Sequence, residues 1–292
     1  MKKLFRIYKS SRTHWVGDGF PVRSVFDYNG LGKELSPFLL LDYVAPYAFP
    51  PSNRRRGVEA HPHKGFETVT IAFQGEIEHR DSSGGGGKIG PGDVQWMTAG
   101  SGIVHEEFQS QAFTRKGGTF QMVQLWVNLR AQDKNTKPHY QNLLKAQIPV
   151  VAFPNEAGTV RVIAGEYGGR KGPAKTFTRI NLWEVSLRSG KSTELPLPDG
   201  HTSALLVLSG EVAVSGQADA ATECDLAIFT RTGSEINLTA RTDAKLLVMD
   251  GEPIAEPVVG RGPFVMNTYA EIQQAFEDCQ LGRMGEIPAK AA

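Results

Sequence analysis

The chain has 292 residues, enough for two domains that each bury a core, and its 32 Lys and Arg nearly balance 31 Asp and Glu. A net charge of +1 provides no global field to draw the protein onto nucleic acid or an acidic membrane surface, so neither is an expected partner. Two cysteines, Cys224 and Cys279, are too few for a disulfide framework, no stretch approaches about 18 apolar residues, and MKKLFRIYKSS lacks a signal-peptide core; an unexported, cytoplasmic protein with reduced thiols is expected.

Taken in order, the elements are short β-type runs separated by Gly, Pro and Asp: FPVRSVF, FETVTIAF, DVQWMTA and FQMVQLWVNL, then VRVIAG, INLWEVSL, ALLVLSGEVAVSG, DLAIFT and KLLVMDG. Many short strands with turn signals between them predict an all-β sandwich or barrel architecture, because such sheets must fold back to cover their inner face. The basic run Arg54-Arg55-Arg56 sits between Pro50-Pro51 and a glycine and reads as a solvated loop.

Residues 129 to 140, LRAQDKNTKPHY, are polar and end one strand-rich half, which places the boundary near residue 140 and gives units 1–140 and 141–292. The halves align weakly. Setting Gln74-Gly75-Glu76-Ile77 against Ser209-Gly210-Glu211-Val212 matches strand, turn and strand, and predicts a duplicated barrel. Near the end, Thr268 and Glu271 form a capping box ahead of Ile272, Ala275, Phe276 and Cys279, with Gly282 as the stop; this one clear helix is expected on a barrel's outside.

The chemistry concentrates in residues 61 to 107. Side chains alternate along a strand, so His61 and His63 share a face, as do His105 and Glu107. Folded onto neighbouring strands, three imidazoles and a carboxylate form a mononuclear metal site. For His79 the readings are a place in the cavity or, preferred, an exposed strand position, and His14, His139 and His201 have no partner at ligand spacing and are expected to be structural or solvated. Opposite the four candidates, the weak alignment puts Pro196, Pro198, Asn237 and Thr239, so the second barrel is expected to have a structural role and no metal.

HPHKGFETV and PGDVQWMTAGSGIVHEE resemble the cupin superfamily and, within it, the pirin family, as do PFLLLDY at 37 to 43, QLWVNL at 124 to 129 and GPFVMNT at 262 to 268. The resemblance implies two tandem cupin, jelly-roll-like barrels with a short C-terminal helix. It also implies that Glu107 rather than Glu67 is the carboxylate ligand. For Glu67 the readings are a fifth ligand or base or, preferred because metal-bound imidazoles usually donate their other N–H, an acceptor from a ligand histidine.

One divalent transition metal is expected, with Fe(II) first and Ni, Mn, Cu, Zn or Co compatible with the donor set. The implied activity is that of a quercetin 2,3-dioxygenase, acting on a small aromatic flavonol and O2 with Glu107 as ligand and proton acceptor. A second reading from the same resemblance is a metal- or redox-responsive regulator with a protein partner. A cupin isomerase or storage barrel is weaker, since only Lys64, beside a ligand, together with Arg80 and Lys88, could line a phosphate pocket. A monomer is expected.

Overall fold

A computed structural model describes residues 1–10, 13–214 and 220–288; the end of the run ALLVLSGEVAVSG, residues 215 and 216, lies outside the described residues. The chain forms two compact units that are not contiguous in sequence. The first barrel comprises Arg12–Lys33, Phe38–Lys145 and Ile254–Ala292; the second comprises Met1–Ser11, Glu34–Pro37 and Ala146–Pro253. A single cut near residue 140 therefore misses an exchange of chain ends. The N-terminal strand Leu4–Lys9 pairs with Asp225–Phe229 in the second barrel, and the C-terminal segment belongs to the first.

Each barrel is built from a seven-stranded and a four-stranded antiparallel sheet. In the first, the larger sheet runs His139–Leu143, Val94–Thr98, Phe66–Gln74, Gly118–Asn128, Phe38–Phe49, Phe20–Phe26 and Thr13–Val16, and the smaller runs Gly57–His63, Ile103–Gln109, Ile77–Asp81 and Gly86–Ile89. The second repeats this order with Leu4–Lys9, Asp225–Phe229, Thr202–Ser209, Ala244–Gly251, Ile180–Leu187, Gly158–Ala164 and Val150–Ala152 in the larger sheet. Its smaller sheet runs Ser192–Pro196, Glu235–Ala240, Glu211–Val214 and Ala220–Thr222. Matching strand order in two sheets is the structural form of the repeat, and both barrels are cupin folds.

Equivalent glycine turns mark the same position in each repeat. Gly75 and Gly210 have φ of 84° and 83°, the left-handed region where only glycine is unstrained. A Cβ would stand 2.4 Å from the Phe120 ring in one and 2.2 Å from the Asp243 carbonyl oxygen in the other.

From that anchor the cross-strand pairs correct the sequence alignment by one residue. Ile77 faces Gln109, and Val212 faces Ala240. Stepping back along the strand, His105 and Glu107 correspond to Ile236 and Leu238 rather than to Asn237 and Thr239. His105 pairs with His61 as Ile236 pairs with Leu195, so His61 and His63 correspond to Leu195 and Leu197 rather than to Pro196 and Pro198. A one-residue slip exchanges the two faces of a strand, which is why the weak alignment picked the outward positions.

The terminal helix spans Tyr269–Gln280 with both halves of the Thr268/Glu271 capping box formed. Its Ile272 and Ala275 pack with Phe264, Met266 and Met284 on the first barrel. Among the described residues no helix is long and apolar enough to cross a membrane.

Candidate metal centre

Strand pairing brings the imidazoles together. His61 and His105 are direct partners on adjacent antiparallel strands, and His63 stands two residues along on the same face. The ring centroids are 4.3 Å apart for His61 and His105, 4.8 Å for His63 and His105, and 4.9 Å for His61 and His63. One donor atom from each of the three lies within 4.8 Å of the other two.

The second ring nitrogen of each imidazole is tied back. His61 Nδ1 donates to the Glu59 carbonyl at 2.8 Å, and His63 Nδ1 to the Pro263 carbonyl at a long 3.4 Å. His105 Nδ1 meets His79 Nδ1 at 3.2 Å, and His79 Nε2 meets the Asp81 carboxylate at 3.1 Å. These partners assign the tautomers: Asp81 accepts from His79 Nε2–H, so His79 Nδ1 is an acceptor and His105 Nδ1 must carry the hydrogen. The lone pair of His105 is then on Nε2.

That Nε2 is buried without a hydrogen-bond partner, and no protein partner meets Nε2 of His61 or His63 among the described residues. Three lone-pair nitrogens facing one point, each with its opposite nitrogen anchored, fit a metal ion; without one, the buried His105 Nε2 would forfeit its hydrogen bond. Burial, reinforced by the neighbouring imidazoles, holds His63 and His105 well below the usual histidine pKa, so both are neutral at pH 7 as ligands must be. Burial would raise Asp81, but hydrogen bonds from His79, Ser83 and Gly85 outweigh it and keep the carboxyl ionised below its usual range.

Glu107 sits one step further in. It does not join all three imidazoles within 4.8 Å but forms an overlapping group with His105 and His79. Its Oε1 accepts from Thr70 Oγ1 at 3.2 Å and Gln95 Nε2 at 2.9 Å, and its Oε2 from Gln124 Nε2 at 3.1 Å. Gln95 also reaches His79 Nδ1 at 3.2 Å, so one amide links the carboxylate to the histidine chain.

Two expectations are corrected here. His79 is 1% exposed, not a surface position, because its strand is covered on that face by Tyr140, whose ring stacks on it at 5.0 Å. Glu67 does not accept from a ligand histidine: Thr98 Oγ1 donates to it at 2.7 Å, its Oε2 is buried without a partner, and burial raises its pKa to about 7.

The support behind the site comes from parts of the chain far apart in sequence. Gly65 turns the chain after His63 with φ of 88°, and a Cβ there would stand 2.1 Å from the Val265 carbonyl oxygen. Lys134, fully buried, donates to the carbonyls of Gly65 at 2.8 Å and Val265 at 2.9 Å and to Asn128 Oδ1 at 2.8 Å; burial lowers its pKa to about 7. Lys64 pairs with Asp278 of the terminal helix at 2.8 Å. Thr70, His79, Gln95, Gln124 and Lys134 were not singled out as site residues from sequence. The signal was present for three of them: Thr70, Gln95 and Gln124 each interrupt an apolar strand, where an isolated polar side chain must find a partner.

Comparison with known proteins agrees with this construction. The family model for pirin matches residues 19–127, and that for the pirin C-terminal cupin domain matches residues 182–285. A Pseudomonas aeruginosa protein named "Putative quercetin 2,3-dioxygenase" is 56% identical, over 97% of this chain and 98% of its own length. The protein named pirin from Homo sapiens is 37% identical over 88% of this chain and 86% of its own. A crystal structure of quercetin 2,3-dioxygenase from Acinetobacter baumannii matches with a TM-score of 0.95 at 51% identity, covering 99% of this chain and 100% of that one. With both family models matched in order and relatives alike over nearly their whole length, the chain belongs to the pirin family.

Proposed function

We propose that this pirin is a metal-dependent dioxygenase acting on a flavonol-type substrate, with quercetin as the model compound and Fe(II) as the ion. The observation that carries the reading is the trio of unpartnered Nε2 atoms on His61, His63 and His105, which would hold the ion. Three imidazoles with a nearby carboxylate suit an open first-row transition-metal site better than a closed structural one. The bound ion would supply Lewis acidity toward an enol or phenol oxygen and a position for dioxygen. The names of the Pseudomonas and Acinetobacter relatives support the same reaction class.

The chain's own residues supply the rest. Glu107 Oε2 carries one donor, Gln124, which leaves acceptor capacity for the proton of a substrate hydroxyl, while Thr70 and Gln95 fix the carboxylate through Oε1. Beside His63, the rings of Phe66 and Trp126, stacked 4.1 Å apart, make that flank of the site apolar.

The test is anaerobic purification, elemental analysis for metal, and addition of quercetin and O2 to the iron-loaded protein while flavonol absorbance and carbon monoxide are recorded. Metal-dependent loss of quercetin is expected; one metal per chain without turnover overturns the dioxygenase reading. For Glu107→Gln, metal content should hold while turnover per bound metal falls by about a hundredfold. Unchanged turnover per metal would rule out Glu107 as the proton acceptor.

A further inference from the structure

The second barrel contains a cleft of about 580 Å³, within the size range of small-molecule sites. Its lining includes Leu197, the counterpart of His63, and His201, the counterpart of Phe66 by the same register. The cleft thus lies, in the second barrel, at positions that match His63 and Phe66 in the first. Where Phe66 stacks on Trp126 in one, His201 meets Asp250 in the other.

The polar groups there are organised as a site. Asp250 is fully buried and accepts from His201 Nδ1 at 2.9 Å, Ser203 Oγ at 2.8 Å and Asn181 Nδ2 at 2.9 Å. The His201 side chain is 10% exposed, and its carbonyl is held by Lys2 Nζ at 3.0 Å, so ring and backbone are both fixed. In the neutral imidazole that donates Nδ1–H to Asp250, Nε2 is an acceptor, and no protein group meets it among the described residues. Trp183, which also lines the cleft, has a buried indole N–H with no partner. The cleft thus offers a ligand one acceptor, His201 Nε2, and one donor, the Trp183 indole N–H.

The rim states the charge of that ligand. Lys171 and Arg179 are exposed and without a side-chain partner among the described residues, and Glu166 is the one carboxylate lining the cleft. Asp250 is already taken up by three donors and Glu166 stands across the strand pair from Lys171, so the cations left at the rim suit a singly charged carboxylate rather than a phosphate dianion. Between rim and floor lie Tyr167, Ile180 and Pro198, apolar surface suited to a ring.

We propose that the C-terminal barrel is a second small-molecule site that takes a hydroxylated aromatic carboxylate, with the carboxylate on Lys171 and Arg179 and the hydroxyl donating to His201 Nε2. The site is independent of the metal centre, and the second barrel is then a ligand-binding module rather than a structural filler.

The test uses the full-length chain carrying His61→Ala/His105→Ala, so that no carboxylate is drawn to a metal, and titrates 4-hydroxybenzoate by ligand-observed NMR, with benzoate and phenol as controls. Saturable binding of 4-hydroxybenzoate is expected, tighter than that of either control. Adding Lys171→Ala/Arg179→Ala, two exposed positions where folding is not at risk, should weaken it about tenfold or more. His201→Phe should make 4-hydroxybenzoate and benzoate bind alike, and His201→Gln, which keeps an acceptor, should restore part of the difference. No saturable binding at about 10 mM ligand, binding that the Lys171 and Arg179 changes leave intact, or binding seen only when the histidines at 61 and 105 are present and metal-loaded would each overturn the proposal.

Discussion

The two barrels share strand order and register, yet their interiors are opposites at matched positions. In the first, Thr70, His79, Gln95, His105, Glu107 and Gln124 form one hydrogen-bonded network. In the second, the same cross-strand pairs place Leu205, Val214, Ala227, Ile236, Leu238 and Val248, all members of one apolar core. The fold therefore does not require the polar set. A buried network is at best weakly stabilising compared with close-packed aliphatic side chains, so its presence in one barrel alone marks where the scaffold gives up stability for chemistry.

Truncating matched residues should separate the two barrels most. His105→Ala should reduce bound metal from about one per chain to background by elemental analysis, whereas Ile236→Ala should leave metal content unchanged and destabilise the second barrel by about 2–5 kcal/mol in urea unfolding. Metal retained in His105→Ala would remove that residue from the ligand set. A smaller effect follows from the chain behind it. His79→Phe keeps the ring volume but removes the acceptor that fixes the His105 tautomer, and metal affinity should fall about 10- to 100-fold in a chelator competition. An unaltered affinity would mean that His79 fills space and does not orient His105.

How much of this was legible in sequence depends on how local each determinant is. The ligand candidates could be read because His61/His63 and His105/Glu107 are two apart on strands, where period-two geometry alone sets a shared face. The capping box of the terminal helix is equally local. Its destination was not: Lys64 meets Asp278, and His63 meets the Pro263 carbonyl, through contacts about 200 residues long in sequence that no periodicity encodes. The burial of His79 is not decidable from its own strand for the same reason, since it depends on Tyr140 arriving on a different strand. The alignment of the two halves failed by one residue at the strands carrying the ligands, where the repeat shares no side-chain identity and only hydrogen-bond register distinguishes inward from outward.

Glu67, too, is matched in the second barrel by a neutral residue, Thr202. Burial raises the Glu67 carboxyl from 4.5 to about 7, with the Thr98 hydrogen bond opposing it only in part. The folded protein thus keeps a proton that the unfolded chain releases between those values. Stability from this group is fully present below pH 4.5, declines as pH rises toward 7 and is level above it, a loss on the order of 3 kcal/mol across the window. Glu67→Gln keeps the acceptor for Thr98 but cannot ionise. In chelator-treated protein, urea midpoints measured at pH 5 and pH 8 should show the variant gaining on the parent as pH rises, and a constant gap between them would show that Glu67 is already ionised at pH 5.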